Sequence, residues 1–277
     1  MQKSLTKCLS LSLEGHISLW RTRRETFVWL VTLIIQTGTV SLWRLAGHVD
    51  TQSKTLSVHR RFERFFQHVR LDEGCVARLL VHIMGLSGKP WHLALDRTNW
   101  KFGRCHINIL MLGVIHEKVC IPLFWVLLDK AGNSNTKERT DLMSKLNEAF
   151  PGQPLASLSG DREFIGETWL HWLESQGIPF VLRLKENMFI WKEGYVPVKL
   201  SAHARHLQKR QTLILKGTWY LGRDPSKATT PIKIAMMRLK TGEMLIVAAS
   251  RIRIKTALPI YRNRWAIETL FSGLKTR

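Results

Sequence analysis

The chain has 277 residues, of which 45% are hydrophobic, and its 42 Lys and Arg against 21 Asp and Glu give a net charge of +21 at pH 7. This length and apolar share exclude a disordered chain, because they suffice to bury a sizeable core. The excess of positive charge indicates a polyanionic partner, and basic residues that recur along the chain suit a long phosphate track. A solvated basic surface without a ligand is the alternative.

Neither the cysteines nor the apolar segments indicate export or a membrane span. The four cysteines have no spacing typical of a zinc site, so we expect reduced thiols in a cytosolic protein. The longest apolar stretch, residues 27–35, is too short to cross a bilayer and lacks the cleavage context of a signal peptide. We therefore expect no membrane partner, and a buried helix at this stretch.

Residues 1–90 show helical periodicity, which predicts a small helical N-terminal domain. Its predicted helices cover residues 27–36, 40–48, 58–69 and 73–84. The third of them places Arg60, Arg61 and Arg64 beside three phenylalanines. Two interpretations remain open: these arginines contact DNA phosphates, or the helices form an ordinary packed domain with a solvated basic face.

Residues 91–277 have a different sequence pattern, which predicts strands that alternate with helices. Predicted strands at 92–96, 107–115, 119–128, 154–158 and 179–184 are joined by a helix at 138–150 and another that ends near residue 177. An antiparallel meander followed by parallel crossovers predicts an α/β domain with a ribonuclease-H-like mixed sheet. Short strands at about 187–250 predict a β-rich insertion, and a terminal helix follows from near residue 257.

The terminal helix carries Tyr261, Arg264, Glu268 and Lys275 at offsets of 0, 3, 7 and 14 residues. At about 100° per residue, these side chains fall within an arc of roughly 60°. The neighbouring arc is apolar and consists of Ile260, Ile267, Leu270, Phe271 and Leu274. One face of the helix is therefore expected to pack, while the other presents two cations, a phenol and a carboxylate.

Two further carboxylates are expected near Glu268. Asp96 ends a buried-looking strand and Asp161 follows another, so neighbouring strands would bring both to one edge of the sheet. Three converging carboxylates can hold two Mg²⁺ or Mn²⁺ ions for in-line phosphoryl transfer. A single Asp at a strand end is otherwise more often a cap or a turn residue.

Five segments, in order along the chain, decide between these interpretations. They are Leu95–Gly103, Asn108–Met111, Pro122–Arg139, Asp161–Gly166 and the stripe that begins at Tyr261. With them the sequence, from about residue 38 to the C-terminus, resembles the DDE transposases of bacterial insertion sequences, most closely the insertion-sequence-four family. A lone Asp-Arg-x-Phe motif would have been a weak indication.

The resemblance implies a role for each matching position. Asp96, Asp161 and Glu268 correspond to the catalytic, metal-binding triad, which takes two Mg²⁺ or Mn²⁺ ions. Tyr261, Arg264 and Lys275 correspond to residues that hold the transposon-end strands, and cationic side chains suit phosphate oxygens. The alternatives are a Tyr packed on the core and a solvated helix face.

Further DNA-binding candidates flank these positions. Arg162 belongs to the Asp161 motif, and Arg183 and Lys185 either line the DNA channel or form the exposed face of a strand. In relatives, an aromatic residue of the insertion holds a flipped base. Trp191 and Trp219 are the candidates here, and the alternative for each is a core tryptophan.

The resemblance also implies a reaction and its partners. A nick exposes a 3′-hydroxyl, which attacks the opposite strand to form a hairpin that is reopened and joined to target DNA. The partners are double-stranded DNA, namely terminal inverted repeats and target, and a second copy of the chain in a homodimer on paired ends. The expected location is the bacterial cytoplasm, at the nucleoid.

The end of the sequence leaves three functions open. Relatives continue beyond Lys275 with more helix, so we expect a C-terminally truncated product in which nothing covers Leu270, Phe271 and Leu274. The chain is then an active transposase, a truncated and inactive copy that occupies element ends, or another ribonuclease-H-like nuclease. The intact triad and stripe favour the first, and the stripe argues against the third.

Overall fold

The computed structural model describes residues 2–13, 15–227 and 230–275. The chain divides into two compact units, of which the first comprises residues 1–87, 148–150 and 273–277 and the second comprises 88–147 and 151–272. None of the helices in these described ranges combines the length and the apolarity needed to cross a membrane.

The first unit is helical. Its helices are α1 (Gln2–Leu13), α2 (Arg21–Thr37), α3 (Leu42–Ala46), α4 (Thr55–His68) and α5 (Glu73–Ile83). The core joins α2, α3 and α4 through fully buried side chains that include Leu33, Leu45 and Phe62. The sequence predicts the last four helices with shifted ends, whereas α1 was not predicted.

The second unit is built on a ten-stranded sheet with the order β3-β2-β1-β4-β5-β10-β9-β8-β6-β7. The strands are β1 (Trp91–Phe102), β2 (Cys105–His116), β3 (Val119–Leu127), β4 (Leu155–Gly160), β5 (Phe180–Arg183), β6 (Phe189–Trp191), β7 (Val198–Lys199), β8 (Thr212–Leu221), β9 (Ile232–Arg238) and β10 (Met244–Ser250). The helices that follow α5 are α6 (Thr136–Ala149), α7 (Glu167–Ser175), α8 (Leu200–His203), α9 (Ile254–Asn263) and α10 (Trp265–Lys275).

Strand pairing confirms the predicted fold class. Strands β1, β2 and β3 form an antiparallel meander, and β4 and β5 pair in parallel on the other side of β1. This is the mixed, ribonuclease-H-like arrangement. The strands of the 187–250 segment continue the same sheet, because β10 pairs antiparallel with β5 and β9 pairs with β10. Both faces of β10 are buried, as a central strand requires.

The end of the chain differs from the prediction in two respects. The single predicted terminal helix is interrupted at Arg264, which separates α9 from α10. In addition, the apolar face of α10 is covered in part: Ile267 and Phe271 belong to one buried cluster with Ala94 and Met111 of the central sheet, whereas Leu274 is 49% exposed. The expectation that nothing covers Phe271 was wrong, because it counted only elements later in the chain and overlooked the sheet itself.

Candidate active site

The first two predicted carboxylates lie side by side. Strands β1 and β4 are parallel neighbours, and their last paired residues are Leu95 and Gly160. Asp96 and Asp161 are the next residues on the two segments. We expected Asp96 to end its strand, but β1 continues to Phe102 because it forms a long hairpin with β2. Asp96 is thus fixed in mid-strand, where β4 ends beside it.

Packing of α10 brings the third carboxylate to the same place. Ala266 and Ile267 of α10 pack on Ala94 of β1. Since side chains alternate between the faces of a strand, Ala94 and Asp96 share one face. Glu268 follows Ile267 directly, so the helix that packs on this face delivers Glu268 to Asp96.

The guanidinium of Arg264 joins two of these carboxylates. Its Nη1 donates to Oδ2 of Asp96 at 2.6 Å, and its Nη2 donates to Oε1 of Glu268 at 2.5 Å. Arg264 is only 3% exposed. Burial by itself lowers the pKa of Arg264, but the surrounding acidic groups outweigh that effect and raise the pKa above its ordinary value. Arg264 therefore stays charged and serves as the counter-ion of the site.

The remaining carboxylate is held by Tyr261 and Arg183. The hydroxyl of Tyr261 donates to Oδ1 of Asp161 at 3.1 Å, and Nη1 of Arg183 lies 3.8 Å from the same oxygen. Burial raises the pKa of Tyr261 to about 12, to which the Asp161 carboxylate contributes. Tyr261 is thus a neutral hydrogen-bond donor to Asp161.

The carboxyl group of Asp96 is strongly perturbed. Burial raises the pKa of Asp96 to about 6. The cation of Arg264 and the backbone N–H of Arg97 oppose this increase, whereas the charges of Asp161 and Glu268 add to it. The cluster consequently favours any additional positive charge that reaches it.

The three carboxylates are of the type that binds a divalent metal, but two of them are bonded to Arg264 in this structure. Carboxylate oxygens are the ligands that Mg²⁺ and Mn²⁺ prefer. In the part of the chain that the structure describes, no group of three or more His, Cys, Asp or Glu side chains is placed to hold a metal ion together. Arg264 donates to both Asp96 and Glu268, so its guanidinium supplies at these two carboxylates the positive charge that a metal would bring.

The predicted DNA-binding residues Arg162 and Arg183 share one partner, and Lys185 and Lys275 lie at or near the ends of their elements. Arg162 and Arg183 both donate to Oε1 of Glu243, at 3.0 and 2.5 Å. Lys185 is exposed two residues beyond β5. Lys275 ends α10 and falls in the first compact unit.

The two predicted base-holding tryptophans are not free. Trp219 is 8% exposed and meets His203 edge to face, and Trp191 stacks on Tyr220 with ring centroids 4.5 Å apart. Their role at a flipped base stays a prediction that this packing does not favour.

The exposed rings of Trp265 and Tyr195 are not among the site residues predicted from the sequence. Trp265, next to Arg264, is 65% exposed, and Tyr195 is 63% exposed. An available signal was the position of Trp265 beside the charged stripe and away from the apolar arc.

In the first unit, Arg61 differs from its neighbours on α4. It donates to Oγ1 of Thr26 at 2.7 Å, to the carbonyl of Thr22 at 2.8 Å and to Glu25 at 2.7 Å. These bonds fasten α4 to α2. Arg60 and Arg64 are exposed, so they are the better candidates for phosphate contacts.

Comparisons with known proteins agree with the sequence motifs. A family model described as "Transposase DDE domain" matches residues 87–277. A piggyBac transposase in a synaptic complex with hairpin DNA is similar at 11% identity and a TM-score of 0.46, with 98% of this chain and 64% of that chain covered. Human ENDOV is similar at 15% identity and a TM-score of 0.36, with 86% and 97% covered.

Endonuclease V from Bacillus subtilis is similar at 9% identity and a TM-score of 0.31, with 71% of this chain and 84% of that chain covered. No curated protein matches the chain. The chain spans less than two thirds of the length of the piggyBac transposase chain.

Proposed function

Because the chain belongs to the family of transposases with a DDE domain, we propose that it cuts the ends of a mobile DNA element and joins them to target DNA by in-line phosphoryl transfer. Family membership places the protein among DNA nucleases and strand transferases. One observation carries the assignment of its site: Asp96 lies on β1, Asp161 directly follows the adjacent strand β4, and Arg264 links Asp96 to Glu268.

In this proposal Asp96, Asp161 and Glu268 hold two Mg²⁺ or Mn²⁺ ions. When bound, the ions would activate the attacking oxygen and stabilise the leaving oxygen. The protein's part is to keep three carboxylates on one face of the sheet, at a place where burial disfavours the charge of Asp96. The metal sites formed by these carboxylates are therefore expected to fill when Mg²⁺ or Mn²⁺ arrives together with the DNA.

Arg264 has a second partner in this proposal, a DNA phosphate. A guanidinium binds phosphate and carboxylate through the same paired N–H groups. When a phosphate takes the place of Asp96 and Glu268 on Arg264, both carboxylates become available as ligands. Metal binding and DNA binding would then support each other through one side chain.

The surrounding residues extend the proposed DNA surface. Arg162, Arg183 and Lys185 lie at or near the end of β4 and β5, and Lys275 and Tyr261 complete the family's stripe. The exposed ring of Trp265 is suited to stack on an unpaired base beside Arg264. We assign residues 1–90 to DNA binding and 91–277 to catalysis.

The finer proposal follows the sequence motifs. It places the protein in the insertion-sequence-four family, with a hairpin intermediate, terminal inverted repeats as substrates and a homodimer on paired ends. Such a protein would act in the bacterial cytoplasm, on nucleoid DNA.

The test is cleavage of a duplex that carries the element's inverted repeat, read from the DNA flanking the gene, in Mg²⁺ or Mn²⁺. Asp96→Asn, Asp161→Asn and Glu268→Gln should each reduce cleavage by more than about 100-fold while retaining DNA binding, since a lost metal ligand removes several kcal/mol of transition-state stabilisation and about 1.4 kcal/mol is tenfold.

Asp141→Asn is the matched control, because Asp141 is an exposed carboxylate paired only with Lys137 on α6 among the contacts described. It should cleave like the wild-type protein. Unchanged cleavage by Asp96→Asn would reject the site, and binding without cleavage by the wild-type chain in either metal would reject the catalytic assignment.

A further inference from the structure

Arg97 and Glu163 form an ion pair, and neither residue has a role in the proposed function. The Nε of Arg97 lies 3.2 and 3.3 Å from the two oxygens of Glu163, and its Nη2 lies 3.1 Å from Oε2. The side chains are 15% and 18% exposed, so solvent screens the pair only weakly. The Nη1 of Arg97 also donates to Oδ1 of Asn108 at 3.0 Å on the neighbouring strand β2.

The position of the pair relates it to the two aspartates. Arg97 follows Asp96 on β1 and, because side chains alternate along a strand, projects from the opposite face. Glu163 lies two residues after Asp161. The pair therefore ties together the two backbone segments that carry the carboxylates, from the side of the sheet that faces away from them.

Other contacts hold the turn at residues 161–164, which contains Asp161 and Glu163. Arg139, which is 4% exposed, donates to the backbone oxygen of Glu163 at 3.1 Å, and its guanidinium lies 5.0 Å from the ring centre of Phe164. The N–H of Phe164 donates to the backbone oxygen of Asp161 at 2.9 Å. A Cβ at Gly160 would lie 3.1 Å from the Phe164 ring, so a glycine permits this close packing.

The parallel pairing of β4 with β1 is short. Its last paired residues are Leu95 and Gly160, one position before Asp96 and Asp161. Side-chain contacts beyond this point therefore help to set the position of Asp161 relative to Asp96. The fork of Arg97 can do this, since it bonds Glu163 and Asn108 at once, whereas Lys has no planar fork.

We propose that Arg97 and Glu163 are positioning residues, which hold Asp161 beside Asp96 from the opposite face of the sheet so that both carboxylates can bind one metal ion. The proposal rests on the proposed function, because it assigns the pair to the same metal site. Neither residue touches the reacting atoms. Their effect passes through Asp161.

The experiment measures Mn²⁺ affinity by the loss of the free Mn²⁺ signal in electron paramagnetic resonance. Each full-length variant is bound to mixed-sequence duplex DNA, and binding by the duplex alone is subtracted. Arg97→Lys and Glu163→Gln should each weaken Mn²⁺ binding by about 10-fold to 100-fold, the usual effect of losing a group that orients a metal ligand. Asp161→Asn supplies the reference for a lost ligand.

The matched control is a second Arg–Glu pair in the same unit. Arg251 and Glu174 lie 3.0 Å apart, and Arg251 follows the end of β10 that pairs with the start of β5, away from Asp161. Arg251→Lys and Glu174→Gln should bind Mn²⁺ like the wild-type protein. Thermal unfolding of every variant separates a general loss of stability from a loss of metal affinity.

The outcomes distinguish the two proposals. Wild-type Mn²⁺ affinity in Arg97→Lys and Glu163→Gln, with weakened binding in Asp161→Asn, overturns the positioning role alone. Equal affinities in Asp161→Asn and the wild-type protein overturn the proposed metal site and the positioning role with it. Equal weakening in the Arg251 and Glu174 controls also overturns the positioning role, because the effect would then follow from any lost ion pair.

Discussion

The Nη1 of Arg264 lies 2.6 Å from Oδ2 of Asp96, although the two residues are 168 positions apart in sequence. Arg264 occupies the break between α9 and α10, and Asp96 lies in mid-strand on β1. The contact therefore ties the end of the chain to the first carboxylate of the site. In the function we propose, this cation has two competing groups of partners, the two carboxylates within the protein and the phosphates of DNA.

Removing the Arg264 cation should destabilise the protein unless a metal replaces it. Arg264→Gln leaves Asp96 and Glu268 without their cation, and breaking a buried pair on one side costs about 3–5 kcal/mol. Urea unfolding at pH 7 should show a loss approaching that size. Addition of Mn²⁺ should restore more stability to Arg264→Gln than to the wild-type protein, because binding to the native state stabilises it.

Arg183→Gln is the control for this prediction. It removes a cation near Asp161 but none that bridges Asp96 and Glu268. Addition of Mn²⁺ should raise the free energy of unfolding of Arg183→Gln by less than that of Arg264→Gln. An equal gain in both variants would mean that general electrostatics, and not exchange at the Arg264 position, controls metal affinity.

The raised pKa of Asp96 predicts a pH dependence of stability. Its pKa is about 6 in the folded protein against 3.8 for an unperturbed Asp, so the folded state binds more protons between these values. Stability contributed by this group is present at low pH and is lost as pH rises from about 4 to about 6. In the wild-type protein the decline should amount to roughly 1.4 kcal/mol for each unit by which the pKa of Asp96 is raised. In Asp96→Asn, which has no titratable group at this position, the decline should be absent.

Urea unfolding of the wild-type protein and Asp96→Asn across pH 4 to 7 measures this difference. Asp141→Asn serves as the exposed reference carboxylate. A stability difference between the wild-type protein and Asp96→Asn that does not change with pH would contradict the raised pKa.

Arginines on α4 should separate into structural and DNA-binding residues. Arg61→Gln loses three hydrogen bonds to α2 and should lower the free energy of unfolding by about 1–3 kcal/mol. Arg60→Gln and Arg64→Gln should leave stability almost unchanged and reduce the slope of log affinity against log salt by about 1 each. Salt titrations of DNA binding, with thermal unfolding, test this division; unchanged slopes would favour a solvated basic face.

Exposed Trp265 and packed Trp191 should behave differently when each is replaced by Ala. Trp265→Ala should keep its stability but lose about 1–3 kcal/mol of binding to a duplex with an unpaired base at the cleavage end, because the exposed ring can stack on that base. Trp191→Ala should chiefly lose stability, since its ring stacks on Tyr220. Loss of base-dependent binding in Trp191→Ala alone would restore the original prediction.

The sequence allowed prediction of the fold class because the hydrophobic runs of β1 to β5 keep strand length and order. The adjacency of Asp96 and Asp161 followed from the same order. The break at Arg264 could not be read from spacing, because the offsets of Tyr261 and Glu268 fit one continuous helix as well as two. The burial of Trp219 depends on tertiary packing, which composition does not encode, whereas the exposure of Trp265 agrees with its position outside the apolar arc of the helix.

The positions of bound metal test the central claim most directly. Fe²⁺ can replace Mg²⁺ in the protein bound to duplex DNA, where added hydrogen peroxide oxidises it to Fe³⁺ and is itself split into hydroxide and a hydroxyl radical, and ascorbate reduces the Fe³⁺ back to Fe²⁺. The radicals cut the polypeptide backbone beside the metal, and mass spectrometry identifies the fragments. We predict cuts next to Asp96, Asp161 and Glu268 that are lost in Asp161→Asn. Cuts confined to other segments, or cuts that persist in Asp161→Asn, would contradict a metal site formed by these three carboxylates.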